Sequence, residues 1–333
     1  MKYCRTKQPS NIPSHSRRQP HTSLLCCSAL LASVVGGLGC KQTREQSAVQ
    51  SEPVPFSVPQ SSASAAPQQG TAPDFSKIAH FVPESARADN HRPLLLFLHG
   101  LGGSGRDAFD VLQLAELGRR HQTFVLAPDG NIDSEKRLFW NAHPACCNFD
   151  RQRVDHVSYL DQVVTAFTRN YPVDPARLFA IGFSNGGFMA HRLACEWGDR
   201  LAGVASVAGG GPEGDVTCQA TKAARVIEVH GDADVTVRYE GGTPFDRPGP
   251  RYGSARSTFD NWAKRLQCGG TPIRHAPIDL VPSIAGAETD RLCFENCPGG
   301  STCLWTVHRG SHMFGNTPQI ADKIWLLLST RPS

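Results

Sequence analysis

The 333 residues contain no Cys-x-x-Cys pair and no His-Glu-x-x-His signature, so the usual sequence marks of a structural or catalytic zinc site are missing. The glycine-rich stretch His99–Gly105 lacks the Gly-Lys-Ser/Thr ending of a phosphate loop. It also lacks a dinucleotide fingerprint. We therefore expect no metal and no organic cofactor. There is no internal repeat and no basic stripe interleaved with aromatics. The formal charge of +4 overstates the basic character. Lys2, Arg5, Lys7, Arg17 and Arg18 fall within the first 40 residues, which hold no acid, and the remainder carries 29 basic against 30 acidic residues. Near-neutrality gives no electrostatic reason to expect nucleic acid as a partner.

The N-terminus reads as an export signal. A basic region precedes the apolar stretch Leu24–Leu38, which is too short for a comfortable membrane span and suits a signal core. It ends in Leu38-Gly39-Cys40, small residues before a cysteine that resemble a bacterial lipobox, although Gly37 stands where leucine is usual. Residues 1–40 are thus expected to be a signal peptide of lipoprotein type. Cys40 would be lipidated and the chain attached to a membrane of the cell envelope, with plain secretion as the alternative. Residues 41–75 are rich in Ser, Gln, Ala and Pro and too poor in large apolar side chains to offset their ordering entropy, so a disordered tether is expected there. Four of the twelve cysteines lie in the signal region. The other eight, Cys146, Cys147, Cys195, Cys218, Cys268, Cys293, Cys297 and Cys303, form an even set that reads as disulfides in an exported protein.

Residues 76–333 alternate apolar-rich runs with helical patterns. The runs Leu94–Leu98, Phe124–Ala127, Leu178–Phe183, Val204–Ala208, Val226–Val229 and Leu304–Val307 suit strands buried on both faces. Helical patterns cover Val154–Phe167, Asn185–Trp197 and Ser257–Leu266. A last helix has Thr317 as N-cap and Pro318 at its first position. This alternation implies an α/β class, with a mostly parallel central sheet and helices on both faces.

Gly182-Phe183-Ser184-Asn185-Gly186 is a G-x-S-x-G motif between a strand and a helix, the context in which such a serine serves as nucleophile on a tight turn. The glycines flank it because side chains there would collide with the turn. The loop after Leu94–Leu98 can bring backbone N–H groups near Ser184, and the N–H groups of Leu101 and Asn185 are the expected oxyanion donors. Downstream, His230-Gly231-Asp232-Ala233-Asp234 offers two candidate acids by position, Asp232 and Asp234. Arg309-Gly310-Ser311-His312 then offers the base, in the Ser…Asp…His order of this fold. His99 and His230 read as structural, and His143 and His156 as substrate-side or surface residues. Trp140 and Phe314 are candidates for an apolar wall that binds substrate.

Together, Leu98–Ser104, Trp140-Asn141-Ala142, Val154-Asp155, Gly182–Gly187, His230–Asp234 and Gly310–His312 resemble the polyhydroxybutyrate depolymerase and feruloyl esterase group, carbohydrate esterase family one, of exported α/β-hydrolases. The resemblance spans roughly residues 76–328. It implies an α/β-hydrolase fold and a serine esterase acting through an acyl-enzyme on an ester substrate, with Ser184, Asp234 and His312 as the triad. It favours Asp234 over Asp232, and implies disulfides Cys195–Cys218 and Cys268–Cys297, leaving Cys293 with Cys303. A vicinal Cys146–Cys147 bridge is one option; pairing of each elsewhere is the other. Met313-Phe314-Gly315 after His312, and His156 after Asp155, depart from the group's pattern. No polymer-binding module follows the catalytic span, which favours soluble oligoesters or acyl groups on polysaccharides over solid polyester. A serine peptidase or acyltransferase on the same fold, or a non-catalytic binding protein, are the rival readings.

Overall fold

Leu94 to Leu98 are almost wholly excluded from solvent, as a strand apolar at every position demands. In the computed structural model, which describes residues 73–211, 218, 220 and 222–330, this run forms β2 (Arg92–Leu98) near the middle of a nine-stranded sheet. Cys40, the expected signal peptide and most of the expected tether lie outside the described residues.

The other strands are β1 (Ala79–Phe81), β3 (Phe124–Ala127), β4 (Asn131–Ile132), β5 (Leu138–Phe139), β6 (Val173–Phe183), β7 (Gly203–Val207), β8 (Ala223–Gly231), β9 (Ile273–Ile278), β10 (Thr289–Cys297) and β11 (Gly300–Val307). The helices are α1 (Gly105–Val111), α2 (Leu114–His121), α3 (His156–Asn170), α4 (Asn185–Trp197), α5 (Ala255–Arg265) and α6 (Pro318–Ser329). The order across the sheet is β1-β3-β2-β6-β7-β8-β11-β10-β9. β3, β2, β6, β7, β8 and β11 run parallel, whereas β1, β10 and β9 pair antiparallel at the two edges. β4 and β5 form a separate small hairpin.

Side-chain alternation along each parallel strand feeds two cores. Leu94, Leu96 and Leu98 face α3 and α4, with Leu160, Phe167, Phe188 and Leu193. Leu95 and Phe97 face α1, α2 and α6, with Phe109, Leu117, Ile324 and Trp325. Each such buried side chain stabilises the fold by about 1.5–3 kcal/mol relative to exposure. Helix starts are set locally. Asp155 caps α3 by accepting from the Val157 and Ser158 N–H groups, and Thr317 caps α6 by accepting from Ile320 N–H, with Pro318 at the first position.

Four disulfides are present. Cys195–Cys218, Cys268–Cys297 and Cys293–Cys303 follow the pairing implied by resemblance, and Cys146–Cys147 is vicinal. Among the described residues, no helix is long and apolar enough to cross a membrane.

The strand order turns back beside β2. From β2 the chain moves outward to β3, then returns to β6 on the other side. In an open parallel sheet this reversal leaves a crevice beyond the carboxyl ends of the two strands. Gly100 and Ser184 lie there.

Candidate active site

Ser184 occupies a backbone conformation that L-residues rarely take, with φ 55° and ψ −118°, between β6 and α4. Two close approaches hold it there. A Cβ added to Gly182 would fall on the Gly186 carbonyl, and one added to Gly186 would fall on the Leu98 carbonyl. The turn can therefore close only with glycine at both positions, and the strain at Ser184 is fixed by its neighbours.

His312 lies in a short 3-10 turn, His312–Gly315, beyond β11. Its Nε2 is 2.9 Å from Ser184 Oγ, and its Nδ1 is 2.7 Å from Asp234 Oδ2. The other Asp234 oxygen, Oδ1, accepts from the Thr236 and Val237 N–H groups. Burial alone would raise the Asp234 carboxyl. The hydrogen bonds from His230 and His312 outweigh it and hold the group well below the usual carboxylate range. Asp232, the other candidate acid, faces away. It accepts from Arg309 N–H and pairs with the His308 ring at the surface.

Asn185 opens α4, so its backbone N–H has no acceptor within the helix. Gly100 runs in van der Waals contact with Ser184, since a Cβ there would lie 3.4 Å from Ser184 Cβ. Leu101 follows it and lines the same cleft as Ser184 and His312. The expected donors thus flank the serine from the two strand ends.

Of the other candidate histidines, His99 and His156 have fixed structural partners. His99 Nε2 accepts from Gly130 N–H and its Nδ1–H donates to the Gly100 carbonyl, while burial pulls its basicity down. His156, expected on the substrate side or at the surface, is buried at the start of α3. Its Nδ1 accepts from Asn141 N–H, and burial lowers it to about 4. His143 is also lowered to about 4 by burial and lines a different cavity, beside α4.

Two further expectations are corrected. Trp140 does not form a wall of the cleft. It is fully buried, its Nε1–H donates to the His99 carbonyl, and its ring packs on His99 and His156. The reason is Asn185, whose side-chain amide accepts from Trp140 N–H and donates to the Trp140 carbonyl, pinning that residue inward. Phe314 is likewise buried, in the core shared with Val207 and Val307. In the tight turn, His312 faces Ser184 while Phe314 turns into the core and Met313 stays half-exposed. The apolar surface of the cleft, a space of about 430 Å³, comes instead from Val111, Leu112, Phe183, Phe245 and Met313. Val111, Phe245 and Met313 are large hydrophobics left about half-exposed, an unusual cost unless something covers them. None carries a sequence signal, because each sits in a loop or at a helix end.

Residues 81–246 match the phospholipase/carboxylesterase family. A protein named "Putative esterase NocK" from Nocardia uniformis subsp. tsuyamanensis is 32% identical over 246 residues, covering 70% of this chain and 68% of its own. Feruloyl esterase B of Piromyces equi is 26% identical over 251 residues, 72% of this chain and 43% of its own. Poly(3-hydroxyalkanoate) depolymerase C of Paucimonas lemoignei is 31% identical over 144 residues, 42% of this chain and 33% of its own. The chain thus spans less than half the length of the last two. Acetyl xylan esterase from Aspergillus awamori superposes with a TM-score of 0.52 at 13% identity, over 75% of this chain and 93% of that one, a likeness of fold alone. The chain belongs to the α/β-hydrolase superfamily, in the group of the feruloyl esterases and polyhydroxybutyrate depolymerases, and it is a carboxylic ester hydrolase.

Proposed function

We propose that the protein is an exported serine esterase that works through an acyl-enzyme on esters with a bulky apolar or aromatic acyl group. The observation that carries this is the line of hydrogen bonds Ser184–His312–Asp234 at the floor of an apolar cleft. His312 Nε2 takes the Ser184 proton as Oγ bonds to the ester carbonyl carbon. Asp234 orients the ring and stabilises its charged form. The oxyanion is held by the N–H groups of Leu101 and Asn185, a contribution of about 100- to 1000-fold per donor in such sites. Collapse breaks the bond to the alcohol, which leaves with the proton from His312. Water then attacks the acyl-enzyme by the same route, with no cofactor needed.

Two substrate classes fit the cleft and the named activities of the relatives: feruloyl-type esters and hydroxyalkanoate oligoesters. A panel of methyl ferulate, hydroxybutyrate oligomers, acetylated xylan and short nitrophenyl esters tests the reading. Preference for the first two supports it, and preference for acetyl esters counts against an acyl group that fills the cleft. Phe245→Ala is expected to raise KM for the preferred bulky ester about tenfold, equivalent to about 1.4 kcal/mol, with kcat little changed. An equal effect on a nitrophenyl acetate would show that Phe245 supports the fold and does not touch the acyl group.

Four disulfides support export, and the Leu38-Gly39-Cys40 sequence supports lipid attachment. On this reading Cys40→Ala moves the protein from the membrane fraction to the soluble exported fraction. An unchanged distribution would remove the lipid from the proposal.

A further inference from the structure

The line of polar contacts does not stop at Asp234. His230 Nε2 lies 3.5 Å from Asp234 Oδ2 and donates to the Val237 carbonyl at 2.7 Å. His230 Nδ1 is 2.8 Å from Glu228 Oε1, and Glu228 Oε2 is 2.7 Å from His191 Nε2. His191 Nδ1 is 3.1 Å from Trp262 Nε1. His230, Glu228, His191 and Trp262 are each at most 2% exposed. Glu228 and His230 are two apart on β8 and so share a face, His191 comes from α4 and Trp262 from α5.

Protons can be assigned from one end. An indole N–H only donates, so His191 Nδ1 accepts and its proton sits on Nε2, which donates to Glu228. Glu228 Oε2 therefore accepts, and one proton is shared between Glu228 Oε1 and His230 Nδ1, since His230 Nε2–H donates to the Val237 carbonyl. The Asp234 carboxylate, 3.5 Å from the ring, favours that proton on His230, which makes the pair carboxylate and imidazolium. A buried charge needs such a partner.

We propose that Glu228 and His230 are positioning residues for the esterase triad: a buried carboxylate–imidazolium pair, backed by His191 and Trp262, that keeps Asp234 ionised while tempering the pull of its charge on His312. The inference rests on the esterase reading above. An uncompensated Asp234 would hold the proton on His312 and make it a poor acceptor for the Ser184 proton. A cation beside Asp234 offsets part of that pull without touching His312.

The groups that face His230 are Glu228 on its own strand, Asp234 on the following loop, His191 beyond Glu228, His312 beyond Asp234, and the edge-on ring of Tyr239, whose hydroxyl meets Thr306 on β11. Burial alone would lower the His230 imidazole. Asp234 and Glu228 outweigh it and push it up to about 10. Glu228 is held down by the His191 and His230 hydrogen bonds, against burial.

Glu228→Gln in the full chain tests the proposal with little change of shape. Because His191 must donate, the glutamine oxygen faces it and the NH₂ faces His230. His230 then becomes neutral with every hydrogen bond kept. The acid limb of the kcat/KM profile should move up by roughly one pH unit, with KM unchanged. A folded Glu228→Gln enzyme whose acid limb stays in place overturns the proposal, even if its kcat falls.

A second measurement needs no variant at Glu228 and no activity. In a ¹⁵N-histidine spectrum at pH 8, His230 should be doubly protonated. A doubly protonated signal is also expected from His308, which Asp232 favours as charged, and it is recognised by its loss in His308→Gln. A doubly protonated His230 supports the pair, and a neutral one overturns it, whether or not Glu228→Gln folds. Since the spectrum does not read hydrolysis, failure of the esterase reading would show separately, in Ser184→Ala.

Discussion

Ser184→Ala is expected to lower kcat for the preferred ester by at least about 10,000-fold while leaving the fold intact. Both halves follow from the turn. Serine and alanine share a Cβ, so the strained φ and ψ are no worse for alanine. The Ser184 side chain makes no capping hydrogen bond to α4, so no cap is lost. What disappears is the oxygen, 2.9 Å from His312 Nε2, that attacks the carbonyl. Rates on the ester panel, with circular dichroism and a thermal midpoint for the variant, give the answer. A folded Ser184→Ala protein that still turns over the ester would place hydrolysis elsewhere and dismantle the proposed mechanism.

The second large effect separates the two aspartates that the sequence leaves side by side. In Asp234→Asn the amide has no freedom to choose its orientation. Oδ1 receives two backbone N–H groups, from Thr236 and Val237, so the oxygen must stay there and the NH₂ must face His312. Donor then meets donor unless His312 moves its proton to Nε2, the nitrogen that should accept from Ser184. A loss of about 10,000-fold in kcat with KM unchanged is expected. Asp232→Asn should change kcat less than about twofold, because Asp232 pairs only with His308 and Arg309 at the surface, where such pairs count for little. The reverse ranking would mean that the acid is misassigned.

The central strands, the elbow and the triad positions were legible because each is dictated by short-range rules. Continuous apolar runs become doubly covered strands, and a turn that admits only glycine on both sides of a serine announces itself. The edges were not legible. β9 is Ile-Arg-His-Ala-Pro-Ile with most side chains exposed, so no burial pattern marks it, and β10 is held by pairing with β11. α1 and α2 are short and separated by Gln113 in the left-handed region, which breaks any helical period. Trp140 was misplaced because its partner, the Asn185 amide, is 45 residues away in sequence. Glu228, inside the run Val226–Val229, is a signal of its own: a carboxylate in a strand covered on both faces must have a partner, and here the partners are His230 and His191.

Asn185 has a consequence for anyone remodelling this enzyme. Its backbone stands next to the nucleophile, while its side chain holds both polar groups of the Trp140 backbone and reaches Cys146 Sγ in the vicinal bridge. The segment from Trp140 to Cys147 is therefore not a free-standing loop that can be exchanged for a relative's to alter substrate choice. A transplanted segment that does not offer its own amide N–H and carbonyl to residue 185 would leave a buried carboxamide unsatisfied one residue from the serine, and the loss would register as lower kcat. Libraries that vary this segment should vary position 185 with it, whereas Val111, Phe245 and Met313, which line the cleft itself, can be varied singly.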